Sequence, residues 1–164
     1  MSAKLALRTA GLAALAAAAL ALADAAPFRG AAAHTGHTFA AGEPGDPKKP
    51  SRAIVIALRD GPGSMTYAPD RIEVRRGEQI KFILKNIGHL DHEFLLDTVE
   101  NNAKHKIEME KNPEMEHDDP NGKRIKSGES AEILWRFTKK GTFEFACLIP
   151  GHYEAGMRGI VVVK

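Results

Sequence analysis

The chain has 164 residues, a formal net charge of +2 and a single cysteine. This length suits one domain with one hydrophobic core, and the nearly balanced charge gives no basis for a nucleic-acid partner. A single cysteine excludes an internal disulfide bond, so an unpaired thiol in an exported protein would need a functional reason.

The first 25 residues have the features of a secretory signal peptide. Lys4 and Arg8 precede an apolar run of Ala and Leu, and small residues near Ala25 suit a signal peptidase. An Ala-rich leader is typical of bacteria, so we predict export to the periplasm. The alternative is a membrane anchor, but the run is shorter than the ~20 apolar residues that span a bilayer.

Residues 26–51 are rich in Ala, Gly, Pro and Lys and show no apolar periodicity. This composition predicts a flexible N-terminal arm. Its two histidines, His34 and His37, are either incidental or a weak metal site. Residues 52–164 are predicted to form the folded domain.

Short apolar or alternating runs, separated by turns, follow from residue 52. Ala53–Leu58 is continuously apolar, which is typical of a strand buried on both faces, whereas the later runs alternate as half-buried strands do. About seven such strands with Gly and Pro turns predict an all-β sandwich or barrel. The other predicted strands are Arg71–Arg76, Gln79–Asn86, Glu93–Leu96, Ala131–Thr138, Thr142–Cys147 and Gly159–Lys164.

A polar segment, Asp97 to Lys126, interrupts the strands and is predicted to be a long excursion with one or two helical turns. Long loops inside compact domains are uncommon and often functional.

A thiol, an imidazole and a thioether come close together near the end of the chain. Cys147 ends a predicted strand, Pro150-Gly151 forms a tight turn, and His152 and Met157 follow before the last strand. Two histidines, one cysteine and a weakly bound methionine are the ligand set of blue copper centres. One histidine must therefore come from elsewhere in the chain.

Two histidines in the segment NIGHLDHEF are candidates for this ligand. His92 directly precedes the apolar run Phe94–Leu96, so a strand entering the core can hold it. His89 lies three residues earlier in a looser turn. We therefore predict that His92 is the second imidazole.

Three segments resemble the cupredoxin family of small blue copper proteins: YAPDRIEVRRGEQIKF, NIGHLDHEF and GTFEFACLIPGHYEAGMRG. The resemblance covers residues 65–164 and implies an all-β Greek-key sandwich with one type 1 copper ion at one end. It also implies His92, Cys147 and His152 as equatorial ligands and Met157 as the axial ligand. The Cys-x₄-His-x₄-Met spacing is similar to that of the rusticyanin and auracyanin branches.

One residue departs from the family pattern. Many members carry Asn directly after the first histidine ligand, and here this position is Glu93. A carboxyl group there would alter hydrogen bonding around the sulfur and hence the reduction potential.

Two simpler interpretations compete with a copper centre. Cys147 alone would be read as a buried free thiol, and cysteine with histidine also suits a structural zinc site. A thioether is unusual for zinc, so Met157 favours copper.

The polar excursion could hold a second, weaker copper site, because methionine and histidine together suit copper(I). The alternative is a solvated loop with scattered methionines. The residues in question are His105, Met109, Met115 and His117.

Two functions fit the same four ligands. The first is a one-electron carrier, not an enzyme, whose redox partner docks near His152. An apolar patch there would comprise Leu90, Leu148, Ile149 and Ala155. The second function is copper handling that contributes to copper tolerance, in which the extra histidines and methionines bind additional copper.

Overall fold

The structure is a computed structural model that describes residues 39–113, 115 and 119–164. These residues form two five-stranded sheets and a helix. The elements are β1 (Glu43–Pro44), β2 (Arg52–Gly61), β3 (Ser64–Ala68), β4 (Arg71–Val74), β5 (Gln79–Asn86), β6 (His92–Asp97), α1 (Val99–Lys111), β7 (Gly122–Ile125), β8 (Ser130–Arg136), β9 (Gly141–Ala146) and β10 (Arg158–Val163).

The first sheet has the strand order β1-β8-β5-β2-β3 and the second has the order β4-β10-β9-β6-β7. The pairs β2–β5 and β4–β10 are parallel, and the remaining neighbours are antiparallel. The predicted all-β sandwich is therefore confirmed.

The core lies between the two sheets and is built from alternate residues of their strands. Phe82 of β5 and Trp135 of β8 are fully buried on one side, and Phe94 of β6 and Phe145 of β9 are fully buried on the other. Phe94 stacks on Phe145 with ring centroids 5.2 Å apart. Alternate side chains of β8 and β10 thus face the core, whereas β6 is buried on both faces.

The first long strand differs from its prediction. In β2, Ile56 and Leu58 are fully buried, but Val55 is 49% exposed. The strand is therefore buried on one face, not on both, because none of the described residues forms a layer over the second face of this sheet at Val55. The short strand β3 was not predicted, since only Met65 and Tyr67 alternate with polar residues in its five-residue sequence SMTYA.

The predicted flexible arm is partly incorporated in the sandwich. From residue 39 onward it packs on the core: Ala41 is buried and the Phe39 ring lies edge-on to Trp135 at 5.2 Å. Strand β1 pairs with β8, and Gln79 accepts a hydrogen bond from Asp46 N at 2.7 Å. Composition alone missed these contacts, which depend on residues distant in sequence. His34 and His37 lie outside the described residues.

The excursion is more ordered than predicted. It contains α1, a helix of 13 residues, and the strand β7, which pairs with β6. The buried residues of the helix are Asn102 and Met109. This apolar stripe is too narrow to be recognised from periodicity.

Local interactions explain why α1 forms without a wide apolar face. Thr98 caps its start, where the side-chain oxygen accepts a hydrogen bond from Asn101 N at 3.1 Å. Lys104 and Glu100 form an ion pair one turn apart, at 2.7 Å. No helix in the described part of the chain is long and apolar enough to cross a bilayer.

Candidate metal centre

The four predicted ligands come from one strand of the second sheet and from the loop that follows the neighbouring strand. His92 begins β6, and Cys147 directly follows β9, the antiparallel neighbour of β6. The segment Cys147–Met157, here named the ligand loop, carries His152 and leads into β10. Because β6 and β9 are hydrogen-bonded neighbours, His92 and Cys147 reach the same end of the sandwich.

The structure brings three of the predicted ligands together. The ligand atoms of His92, Cys147 and His152 all lie within 4.8 Å of one another. His92 Nδ1 is 3.3 Å from His152 Nδ1, and Cys147 Sγ is 3.4 Å from His152 Nδ1. His92 and Cys147 are fully buried, and His152 is 8% exposed. Two imidazole nitrogens and one sulfur thus converge on one point.

Met157, the predicted axial ligand, is fully buried and packs in the same core cluster as Cys147. Backbone hydrogen bonds place it beside the other two loop residues. Cys147 N donates to Met157 O at 3.1 Å, and Met157 N donates to His152 O at 3.1 Å. The ligand loop therefore closes on itself and presents its thioether-bearing residue at the same end of the sheet.

The sulfur of Cys147 is fully buried and accepts a hydrogen bond from a backbone N–H group. Glu93 N donates to Cys147 Sγ at 3.2 Å. Burial raises the pKa of the Cys147 thiol to about 12, against the effect of backbone hydrogen bonds from Glu93 and Ile149. A metal ion that binds this sulfur as thiolate must therefore displace its proton.

The surroundings of His152 favour the uncharged form of its imidazole. Burial, followed by the proximity of His92, lowers the pKa of His152. A neutral imidazole offers a nitrogen lone pair, which is the form that coordinates metal ions.

Asp60, at the end of β2, was not identified from the sequence. Asp60 Oδ1 lies 3.0 Å from His92 Nε2 and accepts hydrogen bonds from His89 N and Leu90 N. Burial opposes ionisation of this carboxyl, but the hydrogen bonds from Leu90, His92 and His89 lower its pKa to about 2. Its only sequence signal is a charged residue before Gly61, which does not distinguish it from an ordinary turn residue.

His89 itself does not reach the metal-binding point. Its side chain is 93% exposed, and its Nδ1 lies 3.4 Å from Asp60 Oδ2. The structure thus places His92, and not His89, next to Cys147 and His152.

Glu93, the departure from the family pattern, is 1% exposed and makes contacts in three directions. Its backbone N–H donates to Cys147 Sγ, and its carboxylate Oε2 accepts from Leu148 N at 3.2 Å. Its backbone carbonyl accepts a hydrogen bond from the Tyr67 hydroxyl of the opposite sheet. The carboxylate therefore ties β6 to the ligand loop.

The surface near His152 differs from the expected apolar patch in one member. Leu90 is 46% exposed, and Ile149 and Ala155 are partly exposed, but Leu148 is fully buried. Leu148 packs instead in a small apolar cluster with Leu95, Met109 and Ala146, and its N–H donates to Glu93 Oε2.

The candidate residues of the excursion differ in how far they are buried. Met109 is 1% exposed and packs with Leu95, Ala146 and Leu148. Met115 is partly buried against the same cluster, and His105 is partly exposed. His117 lies outside the described residues. Met109 thus has a packing role whether or not it also binds metal.

The donor set at this end of the sandwich fits copper. A buried thiol with two imidazoles, joined by a thioether-bearing residue, matches the preference of copper for mixed nitrogen and sulfur ligands. The hydrogen bond from Glu93 to the sulfur is the kind of outer interaction that orients a metal-bound thiolate.

Comparison with known proteins agrees with this chemistry. Residues 55–164 match the model of the copper-binding proteins of the plastocyanin/azurin family. The chain is 47% identical to the copper-resistant cuproprotein CopI of Rubrivivax gelatinosus over 135 residues, covering 82% of this chain and 79% of the relative. It is 37% identical to the protein of the same name from Pseudomonas aeruginosa, covering 82% of this chain and 88% of the relative.

A solved structure supports the same fold. The reduced auracyanin of Roseiflexus castenholzii superposes with a TM-score of 0.58 at 22% identity, covering 70% of this chain and 99% of that chain. At this identity the likeness is evidence for the cupredoxin fold alone.

Proposed function

We propose that this chain, which belongs to the plastocyanin/azurin family of copper-binding proteins, holds one copper ion on His92, Cys147, His152 and Met157 and contributes to copper tolerance. The observation that carries the proposal is the convergence of three buried ligand atoms within 4.8 Å of one another. The role in tolerance draws its support from two relatives whose names describe them as copper-resistant cuproproteins.

Bound copper would supply one-electron chemistry between Cu(I) and Cu(II). The chain's part is to hold and shield the donors. Glu93 N directs a hydrogen bond to the Cys147 sulfur, and the full burial of His92 and Cys147 excludes water. Since core packing and backbone hydrogen bonds fix these donors, little rearrangement accompanies a change in charge at the centre.

A one-electron carrier is the second candidate function, and the asymmetry of the two imidazoles favours it. His152 is 8% exposed and His92 is fully buried, so a partner protein would approach from the His152 side. Leu90, Ile149 and Ala155 would form the apolar contact there. On this interpretation the chain has no enzymatic activity of its own.

The visible spectrum of the copper-loaded protein tests the centre. A thiolate bonded to Cu(II) gives an intense charge-transfer band in the visible region, and we expect one such centre per chain. A colourless protein whose Cys147 is reduced and accessible would contradict the proposal. Zinc loading serves as the control, because zinc(II), a d¹⁰ ion, gives no such band in the visible region.

Growth in copper-containing medium tests the role in tolerance. A bacterial strain that lacks its own copper-resistant cuproprotein should regain growth with the wild-type chain but not with Cys147→Ser. Equal growth with both chains would remove the support for tolerance through this centre. Fractionation of the same cells tests the predicted export, with the mature chain expected in the periplasm.

Copper stoichiometry separates a single-site carrier from a protein with additional copper sites. The notable residues outside the centre are His34, His37, His105, Met109, Met115 and His117. Replacing the histidines by Gln and the methionines by Leu should lower copper uptake but preserve the visible band if they bind copper. Unchanged uptake would favour the single-site carrier.

A further inference from the structure

An aspartate from the first sheet contacts the outer nitrogen of a proposed copper ligand on the second sheet. Asp60 Oδ1 lies 3.0 Å from His92 Nε2, and the two side chains are 11% and 0% exposed. The same oxygen accepts hydrogen bonds from His89 N at 2.7 Å and Leu90 N at 3.2 Å. The carboxylate is thus held by three donors in a mostly enclosed position.

The loop before β6 is shaped to admit this carboxylate. A Cβ atom at Gly88 would lie 1.8 Å from Asp60 Oδ1 and 2.8 Å from Asp60 Cγ. Neighbouring side chains fix Gly88 in place, since Asn86 Oδ1 accepts from Gly88 N at 3.0 Å and Ser127 Oγ donates to Gly88 O at 2.8 Å. Only a residue without a side chain permits the observed approach of Asp60.

The contact determines which nitrogen of His92 faces the centre. Asp60 Oδ1 already accepts hydrogen bonds from two backbone N–H groups and so faces His92 as an acceptor, which places the hydrogen of the His92 ring on Nε2. The lone pair of Nδ1 then points toward His152 Nδ1, 3.3 Å away. A histidine whose outer nitrogen donates to a carboxylate is a more basic metal ligand, and the nearby negative charge favours the more highly charged ion.

We propose that Asp60 is a positioning residue that fixes the ring of His92 and stabilises Cu(II) relative to Cu(I). The inference rests on the proposed copper centre and deepens it by naming a determinant of its reduction potential. Gly88 contributes to the same positioning, because its lack of a side chain leaves room for the carboxylate.

The variant Asp60→Asn removes the charge and keeps an acceptor oxygen and nearly the same volume. We expect the visible band to persist while the affinity for Cu(II) falls about tenfold, in line with other losses of an outer partner of a metal-bound histidine. The affinity for Cu(I) should hardly change. A tenfold rise in the ratio of the dissociation constant of Cu(II) to that of Cu(I) raises the one-electron reduction potential by about 59 mV. Protein-film voltammetry measures this shift.

Asp91→Asn is the matched control for charge alone. Asp91 directly precedes His92, but its Oδ1 accepts from Ser127 N at 3.2 Å in place of the imidazole. The reduction potential of Asp91→Asn should rise by less than half as much as that of Asp60→Asn. Equal shifts in the two variants would mean a general charge effect and would overturn the role of Asp60.

Gly88→Ala provides an independent route to the same displacement, because its Cβ pushes the carboxylate aside. Its shift should resemble that of Asp60→Asn, and the double variant should add little to either. It also keeps the test available if Asp60→Asn is poorly folded. If the potential shifts of the two single variants added up in the double variant, the two substitutions would not act through the same displacement of the carboxylate.

Nitrogen NMR of the metal-free protein gives a readout that is independent of copper. The ring of His92 should carry its hydrogen on Nε2 in the wild type, and the Nδ1–H form should appear in Asp60→Ala. A wild-type protein without a visible band would defeat the proposed copper centre. A normal band with identical potentials in wild type and Asp60→Asn would defeat this inference alone.

Discussion

The ligand loop and the polar excursion are both long connections in the same half of the molecule, and both carry methionine and histidine. In the ligand loop, His152 and Met157 are buried, and backbone hydrogen bonds join Met157 to Cys147 and His152. In the excursion, Met109 fills a small apolar cluster while His105 lies partly exposed on the helix. Methionine and histidine therefore have different environments in the two segments.

The difference lies in what holds the donor atoms. The ligand loop starts from β9 and ends in β10, so two paired strands fix its ends. The helix α1 is anchored to the sheet by the buried Met109, and its other interactions are the cap and exposed ion pairs such as Lys104–Glu100, which contribute little individually. A metal centre needs donors fixed by the core, and in the described part of the chain the three-residue cluster at this end meets that condition.

Removing the sulfur should have the largest effect on the ligand loop. Cys147→Ser replaces the thiolate ligand with a weakly coordinating hydroxyl, so the visible band should disappear. Titration with copper and absorption spectroscopy measure this loss, and far-ultraviolet circular dichroism checks that the sandwich is retained. A band of undiminished intensity would show that Cys147 is not the ligand.

Truncating the buried methionine of the helix should affect stability instead of the visible band. Met109→Ala leaves a cavity beside Leu95 and Leu148 and should lower the free energy of unfolding by about 2–5 kcal/mol. The control Met109→Leu preserves volume and should cost less than about 1.5 kcal/mol. Urea denaturation of the metal-free protein measures both.

The methionine pair also gives a test of the comparison itself. If Met109→Leu lowers copper stoichiometry while the protein remains equally stable, the excursion binds copper through a buried thioether. Met109 would then be a copper ligand as well as a packing residue.

Cutting the tie between β6 and the ligand loop should have an intermediate effect. Glu93→Ala leaves the buried N–H of Leu148 without its carboxylate acceptor, which should cost about 1–3 kcal/mol of unfolding free energy. Glu93→Gln retains an acceptor oxygen, so its free energy of unfolding should fall by less. Equal losses in the two variants would indicate that the hydrogen bond is not the cause.

The smallest effect is expected at the start of the helix. Thr98→Ala removes the side-chain acceptor for Asn101 N and should lower the free energy of unfolding by about 1 kcal/mol. Copper affinity should not change, since the cap lies outside the ligand set. Thr98→Ser restores the acceptor and should recover most of the stability; a lower copper affinity in Thr98→Ala would show coupling between helix and centre.

The alternation of apolar residues predicted most of the strands, because strands such as β4 and β10 bury every second residue. Gln79–Asn86 coincides with β5. The pattern failed where burial was not periodic: α1 has a narrow apolar stripe, and β3 and β7 are short strands held by pairing with long ones. Such pairing depends on residues far apart in sequence and leaves no local signal.

The candidate centre was predicted from residue type and spacing, since thiol, imidazole and thioether in one loop suit copper. Its surroundings could not be predicted in the same way. Asp60 lies 32 positions before His92 along the chain, and the link from Tyr67 to Glu93 crosses between sheets. These partners become visible only when the sandwich brings them together.

The three contacts of Glu93 also limit how far the ligand loop can be treated as an interchangeable module. A loop grafted from a relative with Asn at this position would meet a longer side chain whose carboxyl oxygen accepts a hydrogen bond from the N–H of residue 148. Transfer of loops among cupredoxins would therefore succeed here only if the residue after the first histidine is exchanged together with the loop.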